Sequence, residues 1–186
     1  MSARAIFRAP PRRAALGLAV MVALGGLWLA VASRVHVNAS WSDGAWGYLA
    51  WPLTGTPELG DAVLFHPPDA VGAEVAYLKT VRGMPGMTVT VDQNGWVTVG
   101  GVRLGRAKTR ALDGRALEAV APGEIPPGHY YLHGPHPDSH DSRYAEIGLV
   151  TAGRIEALAV ALPDIPWLGL EGPLVGPEDT AAGDRP

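Results

Sequence analysis

The sequence of 186 residues contains no cysteine, and it contains few lysines and few charged side chains. Without cysteine the chain cannot form a disulfide framework, a thiol nucleophile or a cysteine-bound zinc site. It has two lysines, Lys79 and Lys108, compared with thirteen arginines. Charged residues make up 18% of the chain and hydrophobic residues 47%, which argues against a disordered protein. The abundance of Gly (24) and Pro (17) favours turns and short strands over a helical bundle.

Charge is distributed unevenly along the chain. The first 33 residues hold four arginines and no acidic residue, so the remainder carries 11 basic and 18 acidic side chains. Because nucleic-acid binding requires a basic surface, this acidic main body argues against a nucleic acid as a partner. The length fits one compact domain with short flanking segments.

No charged residue occurs in residues 14–33. A helix of this length spans a hydrocarbon core about 30 Å thick, so the segment predicts a single transmembrane anchor. Because the arginines precede it, residues 1–13 are expected to be a cytoplasmic basic segment, with the rest of the chain outside the cytoplasm. A cleavable signal peptide is the alternative, since Ala30-Val31-Ala32 fits an A-x-A cleavage site.

Short apolar runs separated by Gly and Pro fill residues 34–162. They predict an all-β fold, a barrel or sandwich of short strands behind the N-terminal transmembrane helix. Asn94-Gly95 between two alternating runs predicts a hairpin. Residues 163–186 are rich in Pro and Gly and are expected to form a poorly ordered tail. The predicted strands are 61–65, 74–81, 87–91, 96–99, 129–132 and 148–150, with 154–162 a last strand or short helix.

Lys79 lies in an apolar strand. It shares one face with Val75, Tyr77 and Val81, and the opposite face is also largely apolar. Burial disfavours the charged ammonium and lowers its pKa, and a neutral lysine amine can act as a general base. The alternative is a lysine whose amine reaches solvent at a sheet edge.

A lysine base requires a nucleophile, and two serines follow the apolar run. Ser40 and Ser42 lie in a Gly-containing loop that could expose a hydroxyl and its backbone N–H. The lysine would accept the serine proton and the N–H would stabilise an oxyanion. The alternative is a juxtamembrane turn with interfacial aromatic residues, which are Trp41, Trp46 and Tyr48.

Four motifs occur in order between residues 37 and 162. The first, approximately N-x-[ST]-x-S-x-P-x-G-x-Y, is matched by Asn38, Ser40, Ser42 and Tyr48. The second, Y-[LV]-K-R-V-x-G-x-P-G-D, is matched by Tyr77, Leu78, Lys79, Val81, Gly83, Pro85 and Gly86. The third covers residues 104–130, and the last, S-x-D-S-R-Y, is residues 139–144. Together they resemble the type I signal peptidase family of serine peptidases, and within it the TraF-like conjugative transfer signal peptidases.

The resemblance implies a role for individual residues. Ser42 would be the catalytic nucleophile and Lys79 the general base, while the Ser40 hydroxyl and the Ser42 N–H would form the oxyanion hole. Three residues of the last motif would support the Ser/Lys dyad, with Ser142 able to orient the lysine amine: Asp141, Ser142 and Arg143.

The match has departures beside the nucleophile. Asp43 stands where Met is usual, Gly44 where Pro is usual and Trp46 where Gly is usual. An acid at position 43 near Lys79 would favour the charged amine and oppose its role as a base.

The implied function is endoproteolysis of an exported precursor, here a conjugative pilin, by a peptidase domain of residues 34–162. That domain would be periplasmic, held at the bacterial inner membrane by a single-pass anchor, and associated with a conjugation or type IV secretion apparatus. No cofactor is implied. The alternatives are a general type I signal peptidase and a catalytically inactive periplasmic scaffold of such an apparatus.

Four histidines lie close together in the sequence, at His129, His133, His136 and His140. Histidines beside carboxylates could bind zinc. Because Gly134, Pro135 and Pro137 prevent a continuous helix, no helical zinc motif applies, and a polar loop is the preferred interpretation.

Overall fold

The computed structural model describes residues 12–38, 42–73 and 75–173. The chain divides into two units between Val35 and His36. The first unit contains α1 (Arg12–Ala32). The strands of the described residues are β1 (Val35–Val37), β2 (Gly47–Pro52), β3 (Ala62–Phe65), β4 (Tyr77–Gly83), β5 (Thr88–Val91), β6 (Trp96–Val99), β7 (Val102–Arg106), β8 (Gly123–Glu124), β9 (His129–His133), β10 (Val150–Thr151) and β11 (Ile155–Ala161).

Helix α1 corresponds to the predicted anchor, displaced by one or two residues at its ends. It has 21 residues, and the 19 that follow Arg12 and Arg13 carry no charge; the helix is long and apolar enough to cross a membrane. A signal sequence near the N-terminus would have the same length and composition, so the two interpretations of this segment both stand.

The second unit is built from β-sheets, and the predicted all-β fold is confirmed. One sheet has seven strands in the order β1-β2-β11-β3-β4-β9-β10, and the other has four in the order β7-β6-β5-β8. The strand pairs from β2 to β11 are antiparallel. Because β11 lies between β2 and β3, the last strand of the chain joins elements that are separate in sequence.

Most predicted strands are present within a few residues of their expected bounds. The hairpin at Asn94-Gly95 joins β5 to β6, and Gly95 has a φ of +79°, a conformation that glycine adopts easily. The strand predicted at 74–81 instead begins at Tyr77, and Val75 is exposed. Strands β1, β2, β7 and β8 were not predicted. The apolar run of β2 lacks alternation, and its pairing with β11 is long-range.

Residues predicted to belong to a poorly ordered tail are partly described. Pro166–Leu168 forms a 3-10 turn that is closed by a bridge between Ile165 and Leu170. Trp167 and Leu168 are exposed, so these side chains do not pack into the core of the second unit. Residues 174–186 lie outside the described residues.

The two sheets pack together at a glycine in β4. A Cβ added to Gly83 would lie 2.6 to 2.8 Å from side-chain atoms of Ile125, Tyr131 and Val99. These neighbours belong to the core that the second sheet forms with β9. Only a residue without a side chain allows this close approach.

We expect Gly83→Ala to lower the free energy of unfolding by about 1 to 3 kcal/mol, because the methyl group overpacks this junction. Chemical denaturation of the full chain measures the change. Gly153→Ala is the matched control, since a Cβ there meets nothing within 4 Å. Equal stability of the two variants would show that the junction relaxes without cost.

Candidate active site

Ser42 and Lys79 lie side by side, although 37 residues separate them in sequence. Ser42 precedes β2 and Lys79 lies within β4. A hydrogen bond of 3.2 Å joins the Lys79 Nζ and the Ser42 Oγ. This distance is within the reach that a general base needs to accept a proton from a hydroxyl.

Lys79 is buried, as the apolar alternation around it predicts. Only 7% of its surface is exposed, and it pairs with Val63 across the β3–β4 register. Val63 and Val81 belong to the hydrophobic core on this face of the sheet. The amine lies 5.7 Å from the centre of the Tyr77 ring. The lysine stem is therefore surrounded by apolar groups, and its amine points to Ser42.

The surroundings of Lys79 favour the neutral amine. Burial lowers the pKa of Lys79 below its ordinary value, and the charge of Arg143 acts in the same direction. The carboxylates of Asp141 and Asp43 oppose this change, but burial has the larger effect. An amine of lowered pKa is neutral over more of the physiological pH range and can act as a base.

Asp43 organises the turn that carries Ser42. Its Oδ1 accepts hydrogen bonds from the Asn38 Nδ2 (2.9 Å) and from the Ala45 N–H (3.1 Å). Burial raises the pKa of Tyr48, and the charge of Asp43 acts in the same direction. The motif residue Asn38 is therefore bonded to the residue that follows the serine, and the Tyr48 hydroxyl lies close enough to feel the charge of that residue.

Two aromatic residues of this segment, Trp46 and Tyr48, are buried and do not belong to an exposed juxtamembrane turn. Trp46 and Tyr48 are each 6% exposed. The Trp46 indole N–H donates to the Pro163 carbonyl at 2.9 Å, which ties the turn to the end of β11. The juxtamembrane interpretation is therefore wrong for these two residues. Ser40 and Trp41 lie outside the described residues, so the oxyanion role of Ser40 stays a prediction.

Asp141 and Arg143 form a buried ion pair behind the Ser/Lys pair. Their exposed fractions are 0% and 1%, and the guanidinium contacts both carboxylate oxygens at 2.9 Å. The Arg143 Nη2 also donates to backbone carbonyls of His136 and Ser139, each at 2.9 Å. The Gly134 N–H donates to the Asp141 Oδ2 at 2.8 Å. The pair therefore shapes the loop of residues 134–139.

This loop reaches the serine turn directly. The His136 N–H donates to the Ser42 carbonyl at 3.2 Å. A Cβ added to Gly134 would lie 3.3 Å from the Lys79 Cδ and would clash with the Ser139 side chain. The loop thus contacts both residues of the candidate dyad, so its backbone conformation controls their approach.

The contacts of two serines in the last motif, Ser139 and Ser142, were not expected from the sequence. The Ser142 Oγ accepts from the Leu132 N–H at 3.0 Å, and within the described residues it has no hydrogen bond to the Lys79 amine. The proposed orienting bond from Ser142 is therefore absent. Ser139, which the sequence interpretation did not assign, is 2% exposed, and its Oγ has no partner among the described residues. Its position beside Gly134 and the lysine stem became apparent only in the structure.

The four clustered histidines have separate surroundings. In the described residues no group of three or more His, Asp or Glu side chains could hold a metal ion. Burial lowers the pKa of His133 to about 4, so this imidazole is neutral at physiological pH. The other three pair with the Pro127 carbonyl (His129), the Asp138 N–H (His136) and the Glu146 carboxylate (His140).

Comparison with known proteins adds an independent finding. Residues 14–162 match the family model described as signal peptidase, peptidase S26. The chain is 28% identical over 163 residues to a conjugal transfer protein TraF of Agrobacterium fabrum, covering 77% of this chain and 88% of that protein. A solved signal peptidase I of Enterococcus faecalis is similar over 57% of this chain and 98% of its own, with 23% identity and a TM-score of 0.36.

Proposed function

Since the chain belongs to the signal peptidase family, peptidase S26, we propose that it is a membrane-anchored serine endopeptidase that processes an exported precursor. In this proposal Ser42 is the nucleophile and Lys79 the general base. The observation that carries it is the 3.2 Å hydrogen bond between the Ser42 Oγ and a lysine amine that is almost completely buried. A buried amine of lowered pKa in hydrogen-bond contact with a hydroxyl is an arrangement that activates the hydroxyl as a nucleophile.

Acylation begins when the Ser42 Oγ attacks the carbonyl carbon of the scissile peptide bond. The serine proton passes to the Lys79 Nζ, and the carbonyl oxygen becomes an oxyanion. When the intermediate collapses, the C–N bond breaks and Lys79 returns the proton to the leaving amine. The product is an ester between the precursor and Ser42. The oxyanion donors of the proposal are the Ser42 N–H and the Ser40 hydroxyl.

Deacylation regenerates the serine by one of two routes. In hydrolysis, Lys79 accepts a proton from water as the water oxygen attacks the ester carbonyl. The bond between the acyl carbon and the Ser42 Oγ then breaks, Lys79 returns the proton to that oxygen, and the product leaves with a free carboxyl group. In cyclisation, the amine at the other end of the same segment attacks the ester carbonyl and loses a proton to Lys79, the same bond to the Ser42 Oγ breaks, the proton returns to that oxygen, and a new peptide bond closes a ring. The cyclic product is lighter than the hydrolysed one by one water molecule, so mass distinguishes the two routes.

The proposed location follows from α1 and the charges before it. Residues 1–13 would lie in the cytoplasm, and residues 34–162 would form a periplasmic peptidase domain beside the bacterial inner membrane. The apolar helix Arg12–Ala32 supports an anchor of this kind. In that position the enzyme would meet precursors as they leave the membrane.

The proposed substrate is a pilin-like precursor of a conjugation system. The similarity to a conjugal transfer protein supports this choice over a general signal peptidase. Partners would be the precursor, the membrane and the conjugation or type IV secretion apparatus. If this protein cleaved many unrelated precursors, the dedicated role would be contradicted, but the assignment as a peptidase would stand.

Mass spectrometry of a co-expressed pilin precursor tests this function. We expect the wild-type chain to shorten the precursor, and Ser42→Ala to leave it intact because the attacking oxygen is lost. Ser33→Ala, a serine at the end of the apolar segment, is a control that should retain cleavage. If the wild type leaves pilin and general exported precursors uncut, the inactive scaffold replaces the peptidase as the better assignment.

A further inference from the structure

The residue after the candidate nucleophile is an acid whose partners are all neutral. Asp43 accepts hydrogen bonds from the Asn38 amide and the Ala45 N–H. Among the ion pairs of the described residues it takes part in none. Its negative charge is therefore held in place by hydrogen bonds, and within the described residues no side chain forms an ion pair with it.

The other charges that face Lys79 are already balanced. Asp141 is joined to Arg143 through both carboxylate oxygens, and these two groups act on the lysine with opposite signs. The nearby His133 is buried and neutral, and Tyr77 presents its ring. Asp43 is thus the unpaired charge that acts on the amine.

We propose that Asp43 is a positioning residue, which fixes the turn that presents Ser42 and places a carboxylate next to the residue that the Lys79 amine contacts. This inference rests on the proposed function. The serine turn is closed by an Asp side chain that bonds the N–H two residues later, a local arrangement that aspartate stabilises well. The same carboxylate favours the charged form of the neighbouring amine.

The consequence is a balance between the geometry of the Ser42 turn and the ability of the Lys79 amine to act as a base. A methionine at this position, the residue usual in the resembling motif, has no carboxylate to accept from Asn38, and it carries no charge. The aspartate therefore holds the turn through polar contacts, at the cost of making the lysine harder to deprotonate. The enzyme would require a higher pH to reach full activity than a variant without this charge.

The lysine content of the chain permits a direct measurement. Because Lys79 and Lys108 are the two lysines of the sequence, a chain labelled with [ε-¹³C]lysine gives two side-chain signals. Lys108→Arg identifies which signal belongs to Lys79. We expect Asp43→Asn, in the full chain in detergent micelles, to shift the titration midpoint of Lys79 to lower pH. The Asn side chain retains an oxygen that can accept from Asn38 and the Ala45 N–H.

Asp92→Asn is the matched control. Asp92 closes a similar turn by accepting from the Asn94 N–H two residues later, but it lies in the second sheet. Its replacement should leave the Lys79 midpoint unchanged. An unchanged midpoint in Asp43→Asn would overturn the electrostatic part of the proposal. If Asp43→Asn does not fold, Asp43→Met gives the same expectation and the same contradicting result.

Asn38→Ala tests the positioning part. It removes one hydrogen bond to Asp43 but retains the charge, so the Lys79 midpoint should stay while kcat falls about tenfold with little change in KM. An unchanged kcat would overturn the positioning role. If the midpoint shifts in Asp43→Asn but no variant or wild type cleaves a precursor, the electrostatic effect stands and the peptidase function fails.

Discussion

Replacing Lys79 with methionine is expected to reduce precursor cleavage by about 10⁴-fold, because methionine fills a similar volume but cannot accept the serine proton. The amine makes the 3.2 Å hydrogen bond to Ser42, and no other amine can replace it at that position, since the second lysine pairs with Asp138. Single-turnover kinetics with a peptide that spans the cleavage site measure the change. Lys108→Arg, which removes the second lysine amine but retains a cation that can pair with Asp138, is the matched control and should retain activity.

The pH dependence of the wild type gives the same prediction a second test. The base must be neutral to accept a proton, and burial lowers the pKa of Lys79 from its ordinary value of 10.5. Activity should therefore rise with pH and reach a plateau on the alkaline side. The rise should occur at a lower pH than that at which an exposed lysine loses its proton. A profile that is flat between about pH 5 and 9 would contradict a lysine base.

Replacing Arg143 with methionine is expected to lower the free energy of unfolding by about 3 to 5 kcal/mol. The change removes the charged partner of a completely buried Asp141, takes the Arg143 donor from the Ser139 carbonyl, and leaves the His136 carbonyl with the Ser139 N–H but without its guanidinium donor. An unpaired buried carboxylate and unsatisfied carbonyls are among the most costly defects in a protein core. Denaturant titration of the full chain, followed by tryptophan fluorescence, measures the loss.

An exposed ion pair provides the control for this variant. Arg103 lies 3.8 Å from Asp92, and its side chain is 61% exposed. Arg103→Met should change stability by less than about 1 kcal/mol, because solvent already screens such a pair. Activity should fall in Arg143→Met as well, since the loop of residues 134–139 bonds the Ser42 carbonyl. Equal stability of the two variants would contradict the structural role of the buried pair.

Local signals in the sequence identified the elements that depend on neighbouring residues. The apolar run predicted α1 because its length alone matches a bilayer. The β5–β6 hairpin was evident because Asp92 and Gly95 form a turn from adjacent residues. Both faces of the strand that contains Lys79 are largely apolar, so the sequence also indicated that this side chain would not lie on an open polar surface. Each of these inferences requires only contacts within a few residues.

The sequence by itself thus determined the helix and the all-β character of the second unit, and it restricted Lys79 to a buried position or a sheet edge. Only the tertiary structure decided that β11 lies between β2 and β3 and that Ser42 meets Lys79 across 37 residues. It also decided that Asp43 bonds Asn38 and that Ser142 pairs with β9 instead of the lysine. The physical reason is that periodicity and turn chemistry act along the chain, whereas strand order and side-chain pairing depend on burial between distant segments.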